Sequence, residues 1–372
     1  MIELAYTKLR ENRQWVQAKR ALLIFIFFFT GLSAQNKHLA KFWHVVEGKI
    51  IQCDLCPNQC ILQPGQRGLC GARININGKL YSLVYGVPCA LHIDPIEKKP
   101  FFHVYPGAKA YSIATLGCNM RCKFCQNWQI SQALPQDNPN YFVSPDEIVK
   151  SAIAHDCEFV VFTYTEPTVF YEYMLDIAKL AKENGLRTGW HTCGYINPEP
   201  LKKLLKYIDA TNVDLKGFTQ SFYKKMGLGR LEDVLRTIKI IHNEGKWLEI
   251  TCLIIPGAND NLDTIRAMCE WILENLGPDV PVHFSRFYPA HRLRNLPPTP
   301  IETLEKARQI ALNTGLHYVY IGNVVGHPAE DTYCPHCGKN LIDRYGYIII
   351  SNNVRNGRCK FCGQTISGLW RK

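Results

Sequence analysis

Apolar residues change their spacing twice along the chain, and each change marks a different kind of structure. Between about residues 38 and 107, short apolar–polar alternations predominate and helical periods are scarce. Stretches 49–52, 72–77 and 79–85 read as strands. Asn77-Gly78, between the last two, is a hairpin turn signal. From residue 110 onward, short apolar runs alternate with longer amphipathic ones. Strands are predicted at 111–116, 159–164, 187–192, 210–215, 248–255, 282–287 and 318–321. Helices are predicted at 145–155, 169–184, 200–207, 230–243, 262–276 and 301–314. Repeated strand–helix units predict an α/β fold with a parallel sheet and outer helices. Six such units suit an open partial (β/α)6 barrel, whose chemistry belongs at the C-terminal ends of the strands. From residue 332 the chain becomes a small cysteine-bearing tail. The expected division is an extension at 1–37, a cysteine-rich β region at 38–109, the partial barrel at 110–330 and a metal ribbon at 331–372.

The extension adds a conflict. Lys19-Arg20 precedes the apolar run Ala21 to Phe29, and small residues end at Ala34. This is the layout of a secretory signal, and the run is short for a membrane span. Cysteine usage points the other way. Of sixteen cysteines, eleven fall in three local clusters with metal-ligand spacing rather than a scattered disulfide framework. Such thiols belong in a reducing compartment. A cytoplasmic enzyme is expected, with 1–37 outside its fold and membrane association or export left open.

Bulk composition is that of an ordinary globular protein, 47% hydrophobic and 20% charged over 372 residues. The net charge of +11 comes from lysines and arginines spread along the chain with no long basic block. A solvated basic surface fits this better than a nucleic-acid groove, and no nucleic-acid partner is expected.

The chemistry centres on Cys118, Cys122 and Cys125, spaced C-x3-C-x2-C after the first predicted barrel strand. Three thiolates can hold three corners of a four-iron cluster and leave one iron open to a substrate. A structural zinc site would instead be closed by four ligands. Phe124 is expected to pack near a bound cofactor, and Asn127 to bond the loop or that cofactor.

Two further sets each offer four thiolates. In the tail, Cys334 and Cys337 form one C-x2-C-G knuckle and Cys359 and Cys362 another. Glycine permits the tight turn that aims both sulfurs at one metal, and zinc is the expected occupant. In the β region, Cys53, Cys56, Cys60 and Cys70 run C-x2-C-x3-C-x9-C. Zinc and an auxiliary iron–sulfur cluster both accept four thiolates, so this set leaves the two open.

Polar residues at the strand ends complete the candidate site. Glu166 follows the second strand, where it can receive a cofactor amino group or serve the next helix N-terminus. Asn212, Asp214 and Lys216 alternate, which puts them on one face of the fourth strand. Buried Lys and Asp are costly unless paired, so Lys216 with Asp214 reads as functional. Thr251, His283, Ser285, Arg286 and His291 are weaker candidates for ribose or substrate contacts.

The span from His38 to Trp370 resembles the pyruvate formate-lyase activating-enzyme-like radical S-adenosylmethionine (SAM) proteins, and within them the AmmeMemoRadiSam system radical SAM enzymes. The resemblance rests on Cys53–Cys60, Asp94-Pro95-Ile96-Glu97-Lys98-Lys99-Pro100, the triad loop, Tyr164-Thr165-Glu166-Pro167 and Asn212-Val213-Asp214-Leu215-Lys216. It continues through Ile255-Pro256-Gly257, Ser285-Arg286-Phe287, Tyr320-Ile321-Gly322-Asn323 and the tail knuckles. It implies a 4Fe-4S cluster on the triad and SAM on the free iron. It also implies reductive cleavage of SAM to methionine and a 5′-deoxyadenosyl radical that abstracts hydrogen. Phe124, Asn127, Glu166, Asn212, Asp214, Lys216 and His283 are then expected near SAM. An electron donor such as flavodoxin or ferredoxin and a protein substrate are the implied partners. Modification of another protein or small molecule of that system is a second expectation. A zinc-ribbon binding module on a barrel scaffold is a third, from a different class. The chain departs from the pattern at Cys193, where an asparagine is expected to contact SAM.

Overall fold

The computed structural model describes residues 37–137 and 141–371. The signal-like segment therefore lies outside the described residues. Among the described residues, no helix is long and apolar enough to cross a membrane.

Six short strands come first: β1 (His38–Leu39), β2 (Trp43–Glu47), β3 (Ile50–Cys53), β4 (Ile61–Leu62), β5 (Arg73–Ile76) and β6 (Lys79–Ser82). They form two three-stranded sheets, ordered β1-β6-β5 and β2-β3-β4. The predicted hairpin is present, with Asn77 and Gly78 both at positive φ. A buried ion pair ties these sheets to the body of the protein. Arg73 donates to Glu172, and the Lys41 backbone N–H donates to the same carboxylate.

The body is an eight-stranded sheet of β7 (Pro88–Pro95), β8 (Lys109–Thr115), β9 (Phe159–Phe162), β10 (Arg187–Thr192), β11 (Ala210–Asp214), β12 (Trp247–Ile254), β13 (Val282–Arg286) and β14 (Val319–Gly322). Strands β8 to β14 are parallel and lie in chain order, while β7 pairs antiparallel with β8. The sheet is open, with β7 and β14 at its edges. Every residue of β9 (Phe-Val-Val-Phe) is buried, as a strand covered on both faces requires. Most crossover helices bury one stripe, whereas Tyr171–Glu183 is buried all round its first turn. Helix Leu262–Leu276 buries Ile265, Met268, Cys269, Ile272 and Leu276, the spacing of a single helical face. Caps fix the ends: Ser144 and Glu147 form a capping box, and Gly227 and Gly315 end their helices in the left-handed region.

Two elements of the body in particular were not anticipated. Pro88–Pro95 is an edge strand of mixed exposure with no clean alternation, and Gln220–Met226 is a short helix set between Gly217 and Gly227.

The tail contributes β15 (Thr332–Tyr333), β16 (Asn340–Tyr345), β17 (Ile348–Asn352), β18 (Val354–Arg355) and β19 (Arg358–Cys359). Leu341, Ile342 and Ile366 pack with Tyr318 and Tyr320 of the barrel segment. His103 locks the joint, its ring bonding the Ser367 carbonyl and the Tyr320 hydroxyl at 2.6 Å each.

Candidate active site

The triad loop leaves β8 through Gly117, which has φ +97° and packs on the β region. A Cβ there would lie 2.5 Å from the Cys70 carbonyl oxygen. The loop is then strapped to the far side of the site. The Arg121 N–H donates to Gly227 O at 2.9 Å, and Lys123 N–H to Met226 O at 3.2 Å. Glycine is required at 227 as well, since a Cβ would meet Arg121 O at 2.6 Å.

So held, Cys118, Cys122 and Cys125 line one cavity of about 460 Å³, together with residues from the C-terminal ends of β9 to β14. That volume is within the roughly 300–1,000 Å³ of small-molecule sites. Burial pushes the Cys118 thiol well above its ordinary pKa, helped by negative Cys122 and Glu166. It pushes Cys122 to about 12 despite Lys216. Three thiols gathered on a cavity, Cys118 and Cys122 buried and Cys125 half-buried, are a costly donor set unless a cation takes up their charge, and a coordinated thiol is deprotonated outright. The donor set therefore fits an iron–sulfur cluster. Its sulfurs do not share the close mutual spacing of the tail quartet, as a cluster of several irons needs.

Glu166 is buried at the cavity wall and its carboxylate is fully engaged. Oε1 accepts from Thr168 N at 3.1 Å, Thr168 Oγ1 at 2.6 Å and Thr192 Oγ1 at 2.7 Å. Oε2 accepts from the Cys193 backbone N–H and from its thiol, both at 2.7 Å. Five contacts fill a carboxylate, so Glu166 offers a site its charge rather than a free lone pair.

Opposite, Lys216 Nζ donates to Asp214 Oδ2 at 2.6 Å, and His191 Nε2 lies 3.1 Å from Oδ1. Burial raises the Asp214 pKa, but Lys216 and His191 outweigh it and hold the carboxyl well below the usual range. Burial lowers Lys216, but Asp214, Cys122 and Cys193 outweigh that and keep it charged. Lys216 also sits 6.0 Å from the Phe124 ring centre, and Asn127 donates to the Tyr164 carbonyl at 2.8 Å. All four line the cavity.

Asn212 and His283 are not brought to it. Alternation does place Asn212 on the face of Asp214, but two residues earlier and thus about 6–7 Å deeper. There its amide donates to Pro100 O and accepts from Thr251. His283 is buried against Glu249 at 2.7 Å and stacks on Tyr320, while Ser285 reaches the cavity in its place. The segment 100–103 closes this lower layer, with Phe102 N and His103 N both donating to Glu249.

Sequence reasoning missed one cluster. Asp94 accepts from Lys98 and Lys99, each at 2.7 Å, and from the Tyr164 hydroxyl. Lys99 lies 4.1 Å from the centre of the Tyr164 ring, and burial lowers its pKa to about 8 against the pull of Asp94. Lys98, Lys99 and Tyr164 all line the cavity. The available signal was the Lys98-Lys99 pair just ahead of the first barrel strand.

The other cysteine sets differ from each other. The four tail sulfurs lie within 4.8 Å of one another, with Cys334–Cys362 at 3.7 Å and Cys337–Cys359 at 3.8 Å. Metal–sulfur bonds of about 2.3 Å give a tetrahedron with edges near 3.8 Å, so the quartet is shaped for one ion. Cys53, Cys56, Cys60 and Cys70 line a smaller space on the other side of Gly117.

Three converging thiols at the strand ends of a parallel α/β sheet define a radical SAM enzyme, and the radical SAM superfamily model matches residues 112–272. Residues 112–272 thus form a radical SAM domain. It is 49% identical over 329 residues to an uncharacterised protein of Methanocaldococcus jannaschii, covering 88% of this chain and 98% of that one. It is also 27% identical over 172 residues to the pyruvate formate-lyase-activating enzyme of Clostridium pasteurianum, covering 43% and 67%. Among solved structures, Streptococcus suis SuiB bound to S-adenosylmethionine aligns with a TM-score of 0.48 at 13% identity, covering 65% and 58%. The superfamily implies a 4Fe-4S cluster and SAM.

Proposed function

We propose that the protein cleaves SAM at the triad and directs the resulting radical to a protein partner, as an activating enzyme does. What carries this reading is the meeting of the three triad thiols with Lys216, Asp214 and the Glu166 wall at one cavity. Cys118, Cys122 and Cys125 would hold three irons of the cluster. When bound, the cluster supplies the electron that splits SAM into methionine and a 5′-deoxyadenosyl radical.

The chain's own residues bind and orient. Lys216 offers a cation to the SAM carboxylate, held in place by Asp214. The saturated Glu166 lends negative charge to the side that receives the ammonium and sulfonium. Its bonds to Thr192 and Cys193 fix the backbone of that wall. Phe124 and Met120 give the cavity apolar surface, which keeps water from a reactive product. The DPIEKKP turn places Lys98 and Lys99 at the same cavity for a further anionic group. The tail reaches it too: Tyr347, between β16 and β17, lines the cavity while staying partly exposed. A partner segment entering there would touch an aromatic side chain first. Cys334, Cys337, Cys359 and Cys362 would hold one structural ion, with zinc the expected metal.

Similarity to activating enzymes supports a protein target. The motifs shared along the whole span support placement in the AmmeMemoRadiSam system, where the target would be another protein or small molecule. The decisive experiment reconstitutes the protein anaerobically and assays 5′-deoxyadenosine from SAM under a low-potential reductant. No cluster and no 5′-deoxyadenosine would sink the reading. Deuterium moving from a glycine of a co-purified partner into 5′-deoxyadenosine supports activation. Deuterium from any other donor supports the second target.

A further inference from the structure

We infer that Cys53, Cys56, Cys60 and Cys70 hold a second iron–sulfur cluster of the four-iron type, rather than a single zinc ion. Sulfur spacing carries the choice of cluster over zinc, and Arg73 shows that this space calls for a charged acceptor; neither depends on the reading of the triad.

The first is spacing. Four thiolates around one zinc touch one another, as the tail quartet does at 3.7 and 3.8 Å. No three of the N-terminal sulfurs fall within 4.8 Å of each other, although they face a common space. That space is about 20 Å³. Sulfurs that each cap a different iron stand about 6 Å apart around a central core. Gly68 backs onto this sulfur set: a Cβ there would sit 3.7 Å from both the Cys60 and Cys70 sulfurs, an ordinary contact distance.

The second feature is Arg73. It lines the same space and is almost wholly buried, at 1% exposure. Its Nη2 donates to Glu172 and to Lys41 O. Its Nε and Nη1 have no hydrogen-bond partner among the described residues. Two buried guanidinium N–H groups without acceptors cost several kcal/mol unless something accepts from them. Bridging sulfides and cysteinate sulfurs of a cluster are such acceptors, and hydrogen bonds to them tune a cluster's potential.

Acid-labile sulfide tests this, because neither zinc nor a mononuclear iron site contains any. Full-length protein is reconstituted anaerobically beside the variant Cys118→Ala/Cys122→Ala/Cys125→Ala. The expected result is about eight sulfides per chain in the parent and about four in the variant. About four in the parent and none in the variant, with zinc at both remaining cysteine sets, overturns the inference and leaves the triad's role intact. About four in both supports the inference and sinks the triad's role instead. Should that variant not fold, Cys56→Ala/Cys60→Ala takes its place: a fall in sulfide of about four per chain relative to the parent supports the inference, and an unchanged count overturns it.

Discussion

The thiol of Cys193 and the carboxylate of Glu166 meet at 2.7 Å, and the backbone N–H of Cys193 reaches the same oxygen at 2.7 Å. Glu166 thus holds together the turn after β9 and the end of β10. Where an asparagine amide was expected beside SAM, this chain places a thiol whose one proton is already committed. The negative wall of the cavity is an internal network, and SAM would meet its field more than its lone pairs.

Replacing Glu166 by Gln removes that field. The new amide NH2 also faces donors, either Thr168 and Thr192 on one side or Cys193 on the other. SAM affinity should fall roughly tenfold, about 1.4 kcal/mol, the order of one charge-assisted hydrogen bond. Titration calorimetry with SAM reads this directly. Unchanged iron and sulfide content would show that the loss lies in binding rather than in cluster assembly.

Cys193→Asn should act in the opposite direction. The side chain lines the cavity, so the larger amide has space, and it restores a donor and acceptor pair. One added hydrogen bond of about 0.5–1.5 kcal/mol predicts SAM binding roughly two- to tenfold tighter. Cys193→Ser keeps a single short donor and should change little. Equal affinities for the parent and the Asn variant would show that the thiol is no handicap.

Gly117→Ala tests the wall between the two N-terminal cysteine sites. Its φ of +97° is strained for any L side chain, and the added carbon would press the Cys70 carbonyl. The loop must shift, at a cost of at least about 1–2 kcal/mol from backbone strain alone. We expect a lower melting temperature and reduced iron incorporation, followed by calorimetry and metal analysis.

How much of this was readable depended on distance along the chain. The triad and the tail knuckles are local, and spacing alone marked them as candidate metal sites, with the tail sulfurs then found grouped for one ion. Asp214 with Lys216 followed from alternation on one strand. Alternation gives a side chain's face but not its depth, and for that reason Asn212 and His283 were expected at the cavity and lie beneath it. Arg73 meets Glu172 across 99 residues, and Tyr164 meets Asp94 across 70. No periodicity encodes such pairs. The edge strand Pro88–Pro95 escaped because one side of it is exposed and its pattern is mixed.

Stability should depend on pH through Glu97. This side chain is buried, its Oε1 accepts from Gly107 N, and its Oε2 has no partner among the described residues. Burial raises its pKa from 4.5 to about 7, against the pull of Arg344. A carboxyl with a raised folded pKa binds more protons in the folded state. Its charging therefore erodes stability as pH climbs from 4.5 to about 7 and levels off above that. Glu97→Gln removes the penalty. The variant should be more stable than the parent by on the order of 1–3 kcal/mol at pH 8, with the gap shrinking toward pH 5. Urea unfolding at both pH values measures it. A gap independent of pH would exclude Glu97 titration as the cause.

The tail should respond to metal removal in its own way. Its sulfurs are spaced for one ion, and its small core of Leu341, Ile342 and Ile366 is shared with Tyr318 and Tyr320 of the barrel segment. So small a core cannot hold the knuckles alone, and a structural ion typically contributes folding energy outright. Cys337→Ser should lower the metal content by about one ion per chain with no change in sulfide. The first proteolytic cuts should move to residues 332–371, while the 460 Å³ cavity loses only the wall supplied by Tyr347. SAM binding should then persist as partner recognition weakens. Loss of both together would mean that the tail supports the SAM site itself.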